Sequence, residues 1–162
     1  MKNYCWNYNI LNAGILILVT FFLHSCEKRS IPPELAGNWK SGKHQITVRK
    51  VSDKRIFQFI SDTATVKLRI DDDNIAAGYI GSAKFENARI KINGGNPERT
   101  GIAYIIECGS IGRIFDSDPL DNKEVEIWLG PLKGNIIDAE LRYTEGWAYF
   151  PMAGMIFARK DD

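Results

Sequence analysis

The sequence predicts an all-β protein, a single antiparallel barrel of about eight to ten strands, with a β-sandwich as the alternative architecture. Apolar and polar residues alternate with a period of two in segment after segment. No long 3.6-residue pattern appears, and the alternating segments are separated by short clusters of turn formers. In Thr65–Ile70, Val66, Leu68 and Ile70 share one face while Lys67 and Arg69 take the other. Ala88, Ile90 and Ile92 alternate with Arg89 and Lys91, and 124–129 and 137–143 repeat the pattern. One apolar and one polar face is what antiparallel strands show when one side meets the core and the other water. Segments 45–51, 55–60, 75–80, 101–108 and 154–159 complete a set of nine or ten short strands. The separators are Ser52-Asp53-Lys54, Asp71-Asp72-Asp73-Asn74, Asn93-Gly94-Gly95-Asn96-Pro97 and Gly130-Pro131-Leu132-Lys133-Gly134. Two longer connections remain, 109–122 and 144–153.

Ahead of these strands, residues 10–23 form an almost wholly apolar run of 14, preceded by Lys2 and by Asn3, Asn7 and Asn9. A membrane-spanning helix needs about 20 apolar residues, so this length fits the core of a secretory signal. The run ends in Leu23-His24-Ser25-Cys26, which resembles the lipobox of bacterial lipoproteins. That resemblance implies cleavage before Cys26, a diacylglycerol on its thiol, and fatty acyl chains such as palmitate as the membrane anchor. Two or more chains anchor stably where one is marginal. The expected organisation is a signal peptide over 1–25, a lipidated cysteine and polar tether over 26–33, and one β domain over 34–162. The expected location is the bacterial cell envelope, lipid-anchored, with the domain outside the cytoplasm.

Composition narrows the chemistry. The chain carries 21 Lys and Arg against 20 Asp and Glu, and the signal removes one of the lysines. Without a basic run or surplus, nucleic acid is not an expected partner. Cys5 leaves with the signal and Cys26 carries lipid, so Cys108 stands alone in the apolar segment Ile105-Ile106-Glu107-Cys108 and reads as a small buried hydrophobe. His24 is lost too. His44 alone supports neither a zinc site nor a histidine-based triad, and no nucleophile-elbow motif is present. The reading is a non-enzymatic protein with no metal or cofactor.

The domain opens with Leu35-Ala36-Gly37-Asn38-Trp39, whose G-x-W resembles the start of lipocalin- and avidin-like small β-barrels. The resemblance implies that Trp39 plugs the closed end of a barrel and that a basic residue near the last strand packs over it. Arg159 holds the comparable place.

Candidate sites follow. Asp116-Ser117-Asp118-Pro119-Leu120-Asp121-Asn122 lacks the Gly and Glu of a calcium loop and reads as a turn, as does 71–74. Glu124, Glu126, Asp138 and Glu140 share outer faces, where a glycosidase pair would have no cleft. Thr144–Met152 holds Trp147, Tyr149, Phe150 and Met152, more apolar than a connection requires, and reads as a lid or a contact lip. Trp128 points away from Val125, Ile127 and Leu129, toward solvent. The leading reading is a small hydrophobic ligand held in the barrel by inward-facing Phe57, Phe59, Tyr104 and Ile106, with Trp147 and Tyr149 at the mouth. The alternative is a protein-interaction or inhibitor module of the envelope using Trp128 and 144–153, and a carbohydrate-active enzyme comes third. An empty apolar lumen favours the first reading, and a filled core with an exposed aromatic patch favours the second.

Replacing Cys26 by Ser should abolish incorporation of radioactive fatty acid and release the protein from membranes. Undiminished label in the variant would remove the lipobox reading.

Overall fold

The computed structural model describes residues 31–51, 57–114, 124–145 and 148–160, so Cys26, Trp147 and the 116–122 turn lie outside the described residues. Among these residues eight strands follow in chain order. They are β1 (Gly37–Val51), β2 (Phe57–Ile70), β3 (Ile75–Ile80), β4 (Ala83–Ile92), β5 (Tyr104–Ser110), β6 (Glu124–Lys133), β7 (Ile136–Glu145) and β8 (Ala148–Arg159). A short helix, α1 (Pro97–Thr100), links β4 to β5. Each strand pairs antiparallel with the next, and β1 returns to β8 through Trp39↔Arg159, Lys40↔Ala158 and Ser41↔Phe157. The sheet is a closed barrel, not a sandwich.

The strands are fewer and longer than the sequence pattern suggests. Segments 55–60 and 65–70 are expected as two strands, but the described part of the first, 57–60, runs on into the second, because polar Ser61, Asp62 and Thr63 stay in the ladder opposite Thr47, Ile46 and Gln45. Thr47 and Ser61 share a hydroxyl hydrogen bond of 2.8 Å across it. Ser41-Gly42 forms a bulge inside β1, with the register shifting between Lys40 and Lys43. Buried Ser41 accepts the Val66 N–H (2.9 Å) and donates to the Gly42 carbonyl (2.8 Å), so its hydroxyl is engaged both as donor and as acceptor. Most of 144–153, expected as a connection, is also strand, since β7 runs to Glu145 and β8 begins at Ala148. The alternation there is hidden because Tyr149 and Pro151 point outward and are as apolar as inward Phe150 and Met152.

Inward side chains fill the barrel. Trp39, Tyr143, Phe157, Ile46, Ile106 and Ile127 are among the largest that are fully buried. All belong to one continuous core, and an eight-stranded barrel is just wide enough to be packed by its own side chains. At one end Leu35, in the 3-10 turn Pro33–Leu35, covers the core, and the Trp39 Nε1–H donates to its carbonyl at 2.9 Å. The Arg159 guanidinium carbon stands 4.8 Å from the Trp39 ring centroid, and Nη2 donates to the Glu34 carbonyl. Gly37 in the G-x-W holds φ +134°, a conformation that side chains rarely adopt. At the other end buried Ile114 lies against the β3–β4 turn, where the Ser82 hydroxyl reaches the carbonyls of Arg113 (3.2 Å) and Ile114 (3.1 Å).

Gly78 marks the tightest approach in the wall. A Cβ there would stand 2.0 Å from the Lys67 carbonyl oxygen and 3.0 Å from the Phe85 ring. Gly78→Ala must push β3 away from β2, and overpacking of this kind costs about 1–3 kcal/mol or more. The expected outcome is a melting temperature lower by several degrees, and an unchanged melt would show that the two strands are not so closely apposed.

Candidate functional site

Three strands carry the most unusual outer surface. Along β8 the outward residues are Tyr149, Pro151, Gly154, Ile156 and Ala158, an exposed row with no charge in it. Outward positions of a solvated strand are ordinarily polar. Tyr149 is 50% and Ile156 53% exposed, and exposed Ile136 stands on β7 beside the same row.

Next to Tyr149 the wall is built around Trp128 of β6. The two rings are tilted at 59° with centroids 5.5 Å apart. The Trp128 Nε1–H donates to Glu126 (2.6 Å), and the Arg142 guanidinium lies 3.7 Å from the Trp128 centroid while Nη2 donates to Glu140 (2.6 Å). Cross-strand pairing sets this up, since Glu126 faces Arg142 and Trp128 faces Glu140 in the β6–β7 ladder. A cation over an indole face is worth about 0.5–2 kcal/mol, so the arginine is held flat rather than waving in solvent. Arg142 Nε is buried with no hydrogen-bond partner among the described residues, a cost the stacking must offset.

Among the described residues, those expected to line a ligand pocket are not gathered round one lumen. Phe59 is 71% exposed, because β2 turns Ile60, Ala64, Val66 and Leu68 inward and therefore its odd-numbered residues outward. Placing Phe59 in a lumen is corrected accordingly. Phe57 opens β2 opposite Val51, and its side chain lies outside the described residues. Ile106 is fully buried in the core. Tyr104 turns inward only at the Trp39 end, packed half-buried against the core, and burial with Glu34 nearby raises its phenol above the ordinary value. Tyr149 sits at the start of β8, toward the opposite end, on the outside. Phe150 and Met152 turn inward, with Phe150 stacked on Tyr143 at 5.3 Å.

The acidic candidates are engaged elsewhere. Glu126 and Glu140 hold Trp128 and Arg142, and Asp138 pairs with Lys133 at 2.6 Å. Among the described residues no three His, Cys, Asp or Glu side chains are grouped closely enough to hold a metal ion. The arginine over Trp128 and the uncharged row of β8 were not anticipated from sequence. The alternation of β8 through Tyr149-Phe150-Pro151-Met152 is the signal that could have placed the row. The chain matches no protein-family model, no curated protein and no solved structure.

Cys108 is free and buried, with Sγ 3.9 Å from the Ile106 carbonyl. Burial, with a smaller push from Glu126, holds the thiol far above its ordinary 9.0. In the unfolded chain it ionises near 9, so its contribution is whole below pH 9 and is lost as pH rises, by up to about 1.4 kcal/mol per pH unit. Denaturant midpoints should therefore fall between pH 8.5 and 10, and Cys108→Ala should flatten that slope. Equal slopes in the two proteins would show that the thiol ionises as readily in the fold as out of it.

Proposed function

We propose that this protein is a non-enzymatic, lipid-anchored component of the bacterial envelope that recognises a protein partner through the outer face of β6, β7 and β8. The observation that carries the proposal is the pairing of a filled barrel with an exposed aromatic and uncharged row on one wall. A hydrophobic guest in the lumen would have to displace Trp39, Ile106, Ile127, Tyr143 and Phe157, all fully buried side chains. The Trp39–Arg159 stack supports the likeness to lipocalin-type barrels, but likeness of scaffold does not carry the site.

Recognition then falls to the wall. Trp, Tyr and Arg are the residue types that dominate binding energy at protein interfaces, and they do so best when held rigid beside apolar surface. Trp128, Tyr149 and Arg142 are held in this way next to Pro151, Gly154 and Ile156. A sugar-binding platform is less well supported, because Arg142 occupies a face of Trp128 that a sugar would need.

Site-specific photo-crosslinking in the producing cells tests the proposal. A benzoylphenylalanine at position 149 should give one discrete protein adduct, much weaker when Arg142→Ala is added. The same group at position 59 on β2 should give none. Equal adducts from both positions, or none from 149, would overturn the reading. Saturable binding of a fluorescent fatty acid to the wild type would return the site to the barrel interior.

A further inference from the structure

The outer wall formed by β1 to β4 carries a second feature, unrelated to the aromatic row. A groove of about 500 Å³ runs over it, lined by Asn38, Lys40, Lys67, Arg69, Tyr79, Lys84, Glu86 and Lys160 among others. A second hollow of about 610 Å³ shares Lys40, Lys67 and Tyr79 with the first and adds Asp62, Thr63 and Ser82. The two adjoin on one wall, and Lys40, Lys67 and Tyr79 line both. Five cations meet two carboxylates in their joint lining, although the whole chain is nearly balanced at 21 basic to 20 acidic residues. Glu86 is taken up by Lys84 at 2.5 Å, and Arg69 is answered by Asp71 at 3.2 Å. Among the described residues Lys40, Lys67 and Lys160 have no recorded ion-pair partner, and Tyr79 adds a 43% exposed phenol between them. Positive charge with a hydroxyl in a concave wall is the chemistry of a phosphate receptor.

The chain itself indicates where such phosphates come from. Ile31 is buried, and its N–H donates to Asn74 Oδ1 at 2.9 Å. Asn74 lies in the turn joining β2 to β3, the two strands that carry Lys67, Arg69 and Tyr79 on the groove floor. Residues 27–30 alone separate Ile31 from Cys26, five chain steps in all. Five residues reach at most about 18 Å in any conformation. A lipid on Cys26 would therefore hold Ile31, and with it the β2–β3 turn next to the groove, within that distance of a bilayer surface.

We infer that the β1–β4 groove docks on the anionic phospholipid headgroups of the membrane that holds the N-terminus, taking headgroup phosphates between Lys40, Lys67 and Lys160. The choice of a lipid rather than a soluble phosphate rests on the lipid-anchored reading of Cys26. Each Lys near an anionic surface contributes about 1 kcal/mol, which is roughly fivefold in partitioning.

The test uses residues 27–162 without lipid, a chain that retains every residue of the barrel and of its core. It should sediment with phosphatidylglycerol vesicles at low salt, not with phosphatidylcholine vesicles, and should be released by 0.5 M salt. Lys40→Gln with Lys67→Gln should weaken binding roughly 25-fold with an unchanged melt. Lys91→Gln with Lys133→Gln removes the same charge elsewhere and should leave binding within about twofold of wild type. Equal losses in the two double variants, or wild-type binding by the groove variant, would overturn the proposal. So would saturation by glycerol phosphate with no vesicle binding, which would assign the groove to a soluble phosphate. Because this chain lacks Cys26, a failure here is separate from a failure to label Cys26 with fatty acid.

Discussion

Everything in this fold depends on the seam where the first strand meets the last. A sheet of eight strands has two edges, and each edge is a row of unpaired N–H and C=O groups. Here the edges are joined through Trp39↔Arg159, Lys40↔Ala158 and Ser41↔Phe157. Trp39 does more than pair. Its ring is buried in the core, its N–H ties the 3-10 turn over the barrel end, and its face receives the Arg159 guanidinium. A buried Trp is worth about 3–5 kcal/mol against Ala, a large part of the 5–15 kcal/mol that a domain has in all. Gly37, two residues earlier, supplies the backbone geometry that lets the chain leave the turn and enter β1 at this point.

Closure around large side chains has a functional consequence. On the proposed reading, with Trp39, Tyr143 and Phe157 occupying the inside, recognition falls to the wall. The wall is differentiated to match. β3 and β7 are four strands apart in either direction round the closed order, so Tyr79 and Arg142 stand on opposite walls, while at the seam Lys40 pairs with Ala158 and the basic groove meets the far end of the β8 row. The chain's near-zero net charge conceals this, because composition sums over faces that the barrel separates.

The fold could be read from the sequence because period-two alternation is a local property. Val66, Leu68 and Ile70 on one face require only that the chain be extended with one side buried, and all three are. The G-x-W and Arg159 were also accessible, being one residue type at one end of each terminal strand. Strand length was not, because a strand that stays in register through Ser61-Asp62-Thr63 looks like a turn until its partner is known. The facing of Phe59 was hidden for a related reason. Phe59 and Tyr104 were assigned to one wall by their aromatic character, but facing is set by each strand's parity and by bulges. Parity turns Phe59 outward, while Tyr104 is inward only at the Trp39 end. Trp128 was placed outward correctly because its own strand alternates cleanly, yet its partner Arg142 depends on the β6–β7 register, which no single segment contains.

On the proposed reading the two walls and the tether form one arrangement. A lipid anchor fixes a protein's distance from the bilayer but not its rotation, and a barrel on a short leash would expose all its faces in turn. Ile31 joins the barrel at the β2–β3 turn, so the leash ends on the basic side. A few lysines at about 1 kcal/mol each are enough to prefer that side down by one to two orders of magnitude. The preference is weak enough for salt to erase it and strong enough to matter for encounter. With β2 and β3 toward the headgroups, β7 and its neighbours point away from the membrane, and Trp128, Arg142 and Tyr149 stand where a partner approaches. The groove would then raise association with that partner without touching it, by removing orientations in which the aromatic row faces lipid.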